Sequence, residues 1–323
     1  MFPKLISDDL FPFGGEESLI HPTIAAIPDG HLLIADWTGR LCIVARNGSL
    51  KTQTWLPPNS ITKVSDAIYG MAIDPVLGRY CLLATRHPDF YLWDSHTSHF
   101  TQIYSNSRRQ VCCVSFSPNG QNFAIGCGDY PLDSDRISEA YLELWSLNKS
   151  EPIFERCVAL PGVCADSLTW SEDGNEVYCT TGLRNQKDGF LMVLGSDAVP
   201  RRAWEIGTAL TRWCTLRPLH APNSVVTSNS RGLSCLSTNS GQSLWHVALD
   251  TSSSVYDAVL DVIVLDNGLI LNANDGAVAL QINPLKGCSA LTVIPWGAYA
   301  AVSTNGTLRC WSPALTESTP KSE

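Results

Sequence analysis

One pattern recurs along this sequence: an apolar run, a turn built around glycine, and a second apolar run. Ile24-Ala25-Ala26-Ile27, Pro28-Asp29-Gly30 and Leu32-Leu33-Ile34-Ala35 form one copy. Met71-Ala72-Ile73 and the run from Tyr80 to Ala84 flank a turn ending at Gly78. Val111 to Phe116 leads through Ser117-Pro118-Asn119-Gly120 to Phe123-Ala124-Ile125-Gly126. Leu168-Thr169-Trp170 leads through Ser171-Glu172-Asp173-Gly174 to Val177-Tyr178-Cys179, and Val262-Ile263-Val264 through Asp266-Asn267-Gly268 to Leu269-Ile270-Leu271. Weaker copies at 213–226 and 291–302 bring the total to seven. Short apolar runs punctuated by Gly, Pro, Asn and Asp read as buried strands, because none is long enough for a helix with its own apolar face.

Each copy continues into a third strand, as at Gly39 to Val44, Tyr91 to Trp93, Tyr141 to Trp145, Phe190 to Leu194, Gly232 to Leu236, Ala277 to Ile282 and Thr307 to Trp311. A fourth usually follows, such as Ser243 to Val247, and Asn305-Gly306 and Asp275-Gly276 mark tight hairpins. Copies start near residues 24, 68, 111, 165, 210, 260 and 291, so most steps are 43–54 residues, close to the ~40–45 of a four-stranded blade. The last copy ends at Trp311 without a fourth strand, while a segment around Leu5 to Phe13 is left over at the other end. Ring closure reconciles the two and removes exposed edges. The expected fold is all-β: a seven-bladed β-propeller of four-stranded antiparallel blades, its N-terminal segment closing the last blade. Residues 1–312 form that single domain, and 313–323 read as a disordered tail.

Composition agrees with short strands and turns. Charged residues are only 16% of the chain, against about 25% in an average globular protein, and 44% of residues are hydrophobic, which excludes a disordered chain. The net charge of −9 disfavours nucleic acid and anionic membranes as partners. No run approaches the ~18 apolar residues of a membrane span, and the first residues lack a signal-peptide core, so the expected location is cytoplasmic or nuclear. The twelve cysteines follow neither C-x-x-C nor zinc-site spacing. Cys42, Cys81, Cys112, Cys179, Cys235 and Cys310 sit inside apolar runs and read as small buried hydrophobes. The sequons at Asn47, Asn148 and Asn305 read as chance.

The third-strand endings resemble those of WD40-repeat β-propellers over roughly residues 5–311. Trp93-Asp94 is a Trp-Asp dipeptide, Trp145-Ser146 and Trp311-Ser312 stand in the matching place, and Ser115-Phe116-Ser117-Pro118-Asn119-Gly120 resembles the first-strand-to-turn signature. No Gly-His dipeptide precedes a first strand, and four blades lack the third-strand Trp, so the family's buried His–Ser–Asp–Trp network is mostly missing. The chain is identified as a degenerate WD40-like propeller. The segment from Gly232 to Trp245, with its Trp on the fourth strand, looks more like a quinoprotein-type blade.

The resemblance implies a binding face where inter-blade connections and the turns between second and third strands meet, and here those segments are elaborated. They are Arg86-His87-Pro88-Asp89, the stretch from Gly128 to Glu139 and the stretch from Gly182 to Gly189, while Arg108-Arg109 and Arg201-Arg202 are expected in connections between blades. Long loops are where binding residues collect. The candidate partner-binding residues are Arg86, His87, Arg108, Arg109, Tyr130, Arg136, Arg184, Lys187, Arg201 and Arg202, the arginines suiting acidic or phosphorylated groups. Asp129, Asp133 and Asp135 lack EF-hand spacing, and no metal or cofactor is expected. Nucleophile-elbow, zinc-protease, Walker and dinucleotide-binding motifs are missing. Trp37, Trp213 and Trp296 read as blade packing. The leading function is a non-catalytic interaction scaffold, monomeric within a hetero-complex and binding a protein subunit or peptide. One alternative is a propeller hydrolase with channel carboxylates or a metal, for which Asp66, Asp166, Asp257 and Asp261 are candidates. Another is an anion- or phosphate-binding module built on the six arginines at 108, 109, 136, 184, 201 and 202.

Overall fold

The computed structural model describes residues 4–7, 19, 21–45, 48–58, 67–85, 87–128, 139–148, 151–182, 189–206, 215–219, 223–229, 232–249, 253–281, 288–295, 298–303 and 308–312. Every regular element among them is a strand. No helix of the described residues is long and apolar enough to cross a membrane. The strands form antiparallel groups of four at 23–55, 68–104, 110–160, 164–206, 215–247 and 254–281, numbered here as blades 1 to 6, with blades 3 and 4 joined into one eight-stranded sheet where Gly128 pairs with Cys164. Blade 7 combines the three strands of 288–312 with Lys4–Ser7. That terminal strand pairs with Leu308–Ser312, in register Lys4 to Ser312 and Leu5 to Trp311. The expected closure by the N-terminal segment is therefore present.

Burial follows position within a blade. The second strand of blade 2, Tyr80–Thr85, is buried at every residue, because both of its faces are covered by neighbouring blades. The outermost strand of blade 1, Leu50–Trp55, is almost wholly exposed. The core is divided among the seams. Seven apolar clusters occupy seven interfaces, from blades 1 and 2 around Trp93 to blades 7 and 1 around Val302. Seven blades in a row would have six seams, so the seventh cluster is the packing signature of a ring. Between blades 2 and 3 the seam is aromatic, with Phe123 and Trp145 stacked at 6.0 Å and Phe90 edge-on to Trp145 at 5.6 Å.

The repeated turn has a local cause. Ser117 Oγ accepts from Asn122 N at 3.0 Å and donates to Asn119 Oδ1 at 2.7 Å, and Gly120 takes a φ of 68°. Ser171, Asp173 and Gly174 build the same turn in blade 4. A short polar side chain and a residue free to adopt positive φ are what such a turn requires.

Blade 6 differs from the sequence expectation. Its innermost strand is Ser254–Asp257, and Val262–Leu265 and Leu269–Asn272 are its second and third strands. Ala277 to Ile282, expected as a third strand, contains the outermost one, Val278–Gln281. The innermost strand has only Val255 and Tyr256 as apolar residues, so the stronger apolar pair behind it takes the eye.

The quinoprotein-like feature of blade 5 is also present. Trp245 lies on its outermost strand, Ser243–Val247, and donates from Nε1 to the Ala273 carbonyl of blade 6 at 3.0 Å. The neighbouring turn brings Gly276 so close that a methyl group there would lie 2.8 Å from Trp245 Cε3. The family's missing network is replaced by separate pairs. Arg40 and Asp36 form a buried ion pair at 2.9 Å, Arg79 holds Asp94 of the Trp-Asp dipeptide at 2.6 Å, and Trp145 donates to Glu143 at 3.2 Å.

Candidate binding face and central channel

Antiparallel order puts the turns between second and third strands at the same end of the ring as the connections between blades. At that end the structure brings three expected residues to one seam. His87 stands in the turn of blade 2, with its amide bonded to Thr85 Oγ1 at 3.3 Å. Its carbonyl accepts from Val111 N, the second residue of blade 3's innermost strand, at 3.4 Å. Arg108 and Arg109 occupy the connection between blades 2 and 3; Arg108 is exposed with φ at 54°, a conformation that non-glycine residues rarely hold.

That connection is fixed from beneath by Glu143, a fully buried residue of blade 3's third strand, Ala140–Asn148. Its carboxylate accepts from Ser105 Oγ at 2.8 Å, Ser107 N at 2.7 Å, Asn106 N at 3.1 Å and Trp145 Nε1 at 3.2 Å. A carboxylate is buried at tolerable cost only when its lone pairs are filled in this way. Sequence reasoning missed Glu143. The signal was a lone acid inside the otherwise apolar run Tyr141-Leu142-Glu143-Leu144-Trp145.

Arg201 and Arg202 are a correction. They lie inside the outermost strand of blade 4, Pro200–Ile206, at the opposite end of the ring, rather than in an inter-blade connection. Arg201 pairs with Asp197 at 3.1 Å, and Arg202 pairs with Glu176 at 2.5 Å and with Asn239 of blade 5. The tight turn at 196–199 starts the fourth strand directly, so the two arginines are strand residues beside acids. The six arginines of the anion-binding alternative are therefore not one patch. Arg86, Tyr130, Arg136, Arg184 and Lys187 lie outside the described residues, as do Asp129, Asp133, Asp135, Trp213 and Trp296.

Inside the ring, the innermost strands surround a channel of about 1120 Å³. Its mouth at the His87 end is aromatic. The His21 and Trp37 rings are 4.0 Å apart, and Trp37 and Tyr69 are 4.7 Å apart. Trp37 is thus a channel residue in the second-to-third-strand turn of blade 1, in contrast to the packing role expected of it. Asp166 also lines the channel, on blade 4's innermost strand, Cys164–Trp170. The Cys164 thiol donates to its Oδ1 at 2.9 Å. Burial pushes the Asp166 carboxyl up to about 6, against the lowering effect of that hydrogen bond. The Cys164 thiol is itself held well above its usual range by a hydrogen bond with Cys112 and then by burial, and burial raises Cys113.

Of the other carboxylates weighed for hydrolysis, Asp66 lies outside the described residues. Asp257 is buried and accepts from Tyr299 Oη at 2.7 Å and from the amides of Val259 and Leu260 at 2.9 and 3.2 Å. Asp261 accepts from Tyr256 Oη at 2.8 Å and Asn274 Nδ2 at 2.9 Å. Neither is paired with Asp166 as an acid–base couple. Among the described residues no three His, Cys, Asp or Glu side chains are grouped to hold a metal ion. Among the described cysteines, Cys42, Cys81, Cys179 and Cys235 are buried as expected, while Cys112 and Cys310 are half-buried.

The seams, the four-stranded blades and the terminal closing strand define a β-propeller closed by its N-terminal strand. A solved structure with this fold is the β-propeller domain of Cps50 (Swd1) from Myceliophteria thermophila, with a TM-score of 0.70 over 96% of this chain and 99% of that one at 14% identity. No family model and no curated protein sequence matches the chain.

Proposed function

We propose that the protein is a non-catalytic interaction scaffold, a subunit of a multiprotein complex that binds a partner protein or peptide on the face carrying His87, Arg108 and Arg109. The observation that carries this reading is Glu143. Four donors converge on one fully buried carboxylate, and three of them belong to the connection that presents the two arginines. Holding an exposed loop in a fixed shape lowers the ordering cost of binding. The aromatic channel mouth on the same face adds apolar area beside the charged rim, the mixture found in protein interfaces. Cysteines used as small buried hydrophobes, such as Cys42, Cys81 and Cys235, suit a reducing compartment, the cytoplasm or nucleus.

The test is affinity capture from native lysate with the tagged full chain and with an Arg108→Glu/Arg109→Glu variant, read by quantitative mass spectrometry. A stoichiometric protein recovered with the wild type and depleted at least about tenfold with the equally stable variant is expected, since each lost charged contact is worth ~1.5–3 kcal/mol. Equal recovery would move the site off this seam, and no stoichiometric partner would overturn the scaffold reading.

A further inference from the structure

Every blade ends in an outermost strand whose far edge pairs with no other described strand. Six of the seven outermost strands carry a β-bulge against their third strand. In blades 1, 3, 4, 5, 6 and 7 the extra residue on the outermost strand is Lys51, Glu155, Arg201, Leu244, Ala279 and Ile6 in turn. Three of these six are charged. Bulges, charges and short length keep foreign strands off the edge of a sheet. Blade 2 uses none of them. Its outermost strand, His99–Tyr104, pairs with Asp89–Asp94 over six consecutive residues without a shift. It contains no Lys, Arg, Asp, Glu, Pro or Gly.

The strand is held in place from its inner side. Phe100 packs into the seam with blade 1, and Ile103 into the seam with blade 3. Ser105 N, one residue past the strand, donates to the Pro88 carbonyl at 2.8 Å. Ladder bonds alternate along an antiparallel pair, so the backbones of Thr101 and Ile103 also bond inward. The N–H and C=O of Phe100, Gln102 and Tyr104 therefore point away from the blade. Three donors and three acceptors are aligned there, with no partner strand among the described residues. What complements such an edge is one extended strand. A second copy of the chain fits poorly. Six residues span about 20 Å, and contact one strand deep along that length falls short of the ~1,000 Å² of a specific interface. A net charge of −9 on each copy adds repulsion. The edge also runs directly into the connection that carries Arg108 and Arg109, so a segment laid along it emerges on the proposed binding face.

We propose that blade 2 accepts an extended segment of the partner protein as a fifth strand, paired to the backbone of Phe100, Gln102 and Tyr104. This rests on the reading of the adjoining face as partner-binding and names the form in which the partner is held. Main-chain hydrogen bonds supply the affinity, and side chains set the preference. Residues of the segment beside Phe100 and the exposed Tyr104 are aromatic or β-branched, the types that pair well across strands. The segment has no proline where its own N–H groups must reach the edge.

The experiment uses the immobilised full chain and a pool of random octapeptides drawn from Val, Thr, Tyr, Gln and Ser. A second pool has the same composition with every amide N-methylated, which keeps the side chains and abolishes strand pairing. Wild type is expected to retain the first pool about tenfold over the second. With the first pool bound, hydrogen exchange at the amides of Phe100, Gln102 and Tyr104 is expected to slow about tenfold. Tyr104→Pro removes one outward N–H and no inward bond, and is expected to lose most of the retention. Tyr104→Ala, which removes only the side chain, is expected to keep most of it. Equal retention of the two pools, or unchanged exchange at the three amides, would overturn the inference. Both are read on the wild type, so they decide even where Tyr104→Pro does not fold. Dimers in analytical ultracentrifugation that Tyr104→Pro abolishes would give the edge to a second copy and overturn it too. A partner captured from lysate equally well by Tyr104→Pro would overturn it and leave the binding face standing. Failure of the scaffold reading is seen separately, in the capture experiment with the Arg108→Glu/Arg109→Glu variant.

Discussion

Holding Asp166 half-buried among thiols costs stability in a way that can be read from its proton. Its carboxyl is raised from 3.8 to about 6 by burial, so between those values the folded chain holds this proton more tightly than the unfolded chain does. Stability from this group therefore falls as pH rises through that window, and the penalty is complete above about pH 6. At 1.36 kcal/mol per unit it is on the order of 3 kcal/mol. Asp166→Asn is expected to raise the melting temperature by roughly 5 °C at pH 7.5 and by little at pH 4, measured by scanning calorimetry. An equal difference at both values would remove the charge as its cause. A residue whose replacement stabilises the fold is the usual mark of a site kept for binding. Asp166 was legible in the sequence as one of several acids before a first strand. What separated it from Asp257 and Asp261 was not, because only the folded ring gives those two their tyrosine donors. Trp37 was misread for a similar reason: a tryptophan in a turn carries no sign of whether it packs inward or faces the axis.

At the level of the element, the connection between blades 2 and 3 is a short loop held by one carboxylate. Glu143→Ala would leave the amides of Asn106 and Ser107 and the Trp145 indole without their acceptor. A loss of about 3 kcal/mol in urea denaturation is expected, the order found when buried donors are orphaned, with faster hydrogen exchange at Asn106 and Ser107. A loss below about 1 kcal/mol would mean that water replaces the carboxylate and the loop is not anchored as described. Strand order within blades 1 to 5 was readable, because there the apolar pair is the first and second strand, joined by a glycine turn in blades 1 to 4. In blade 6 the same pair is the second and third, since the innermost strand contributes two apolar residues only. Apolar strength marks burial, and the second strand is the most buried position whichever strands stand beside it. The arginines of blade 4 failed for a related reason: a charged stretch after a proline looks like a loop, yet an outermost strand is exposed enough to carry it.

For the whole molecule, closure was legible from a missing strand at one end and a spare one at the other, and the pairing of Lys4–Ser7 with Leu308–Ser312 realises it. Removing residues 1–7 is expected to leave the third strand of blade 7 as an unprotected edge. Light scattering would then show self-association at micromolar concentration, and the melting temperature would fall. An unchanged monomer of unchanged stability would show that closure contributes nothing. The pairing also sets a timetable. About 300 residues separate the two strands that complete the ring. At synthesis rates of about 5–20 residues per second, the first waits roughly 15–60 s for its partner to leave the ribosome. For that interval the nascent chain is an open arc with an edge at each end, and the earliest strand made is the last one used.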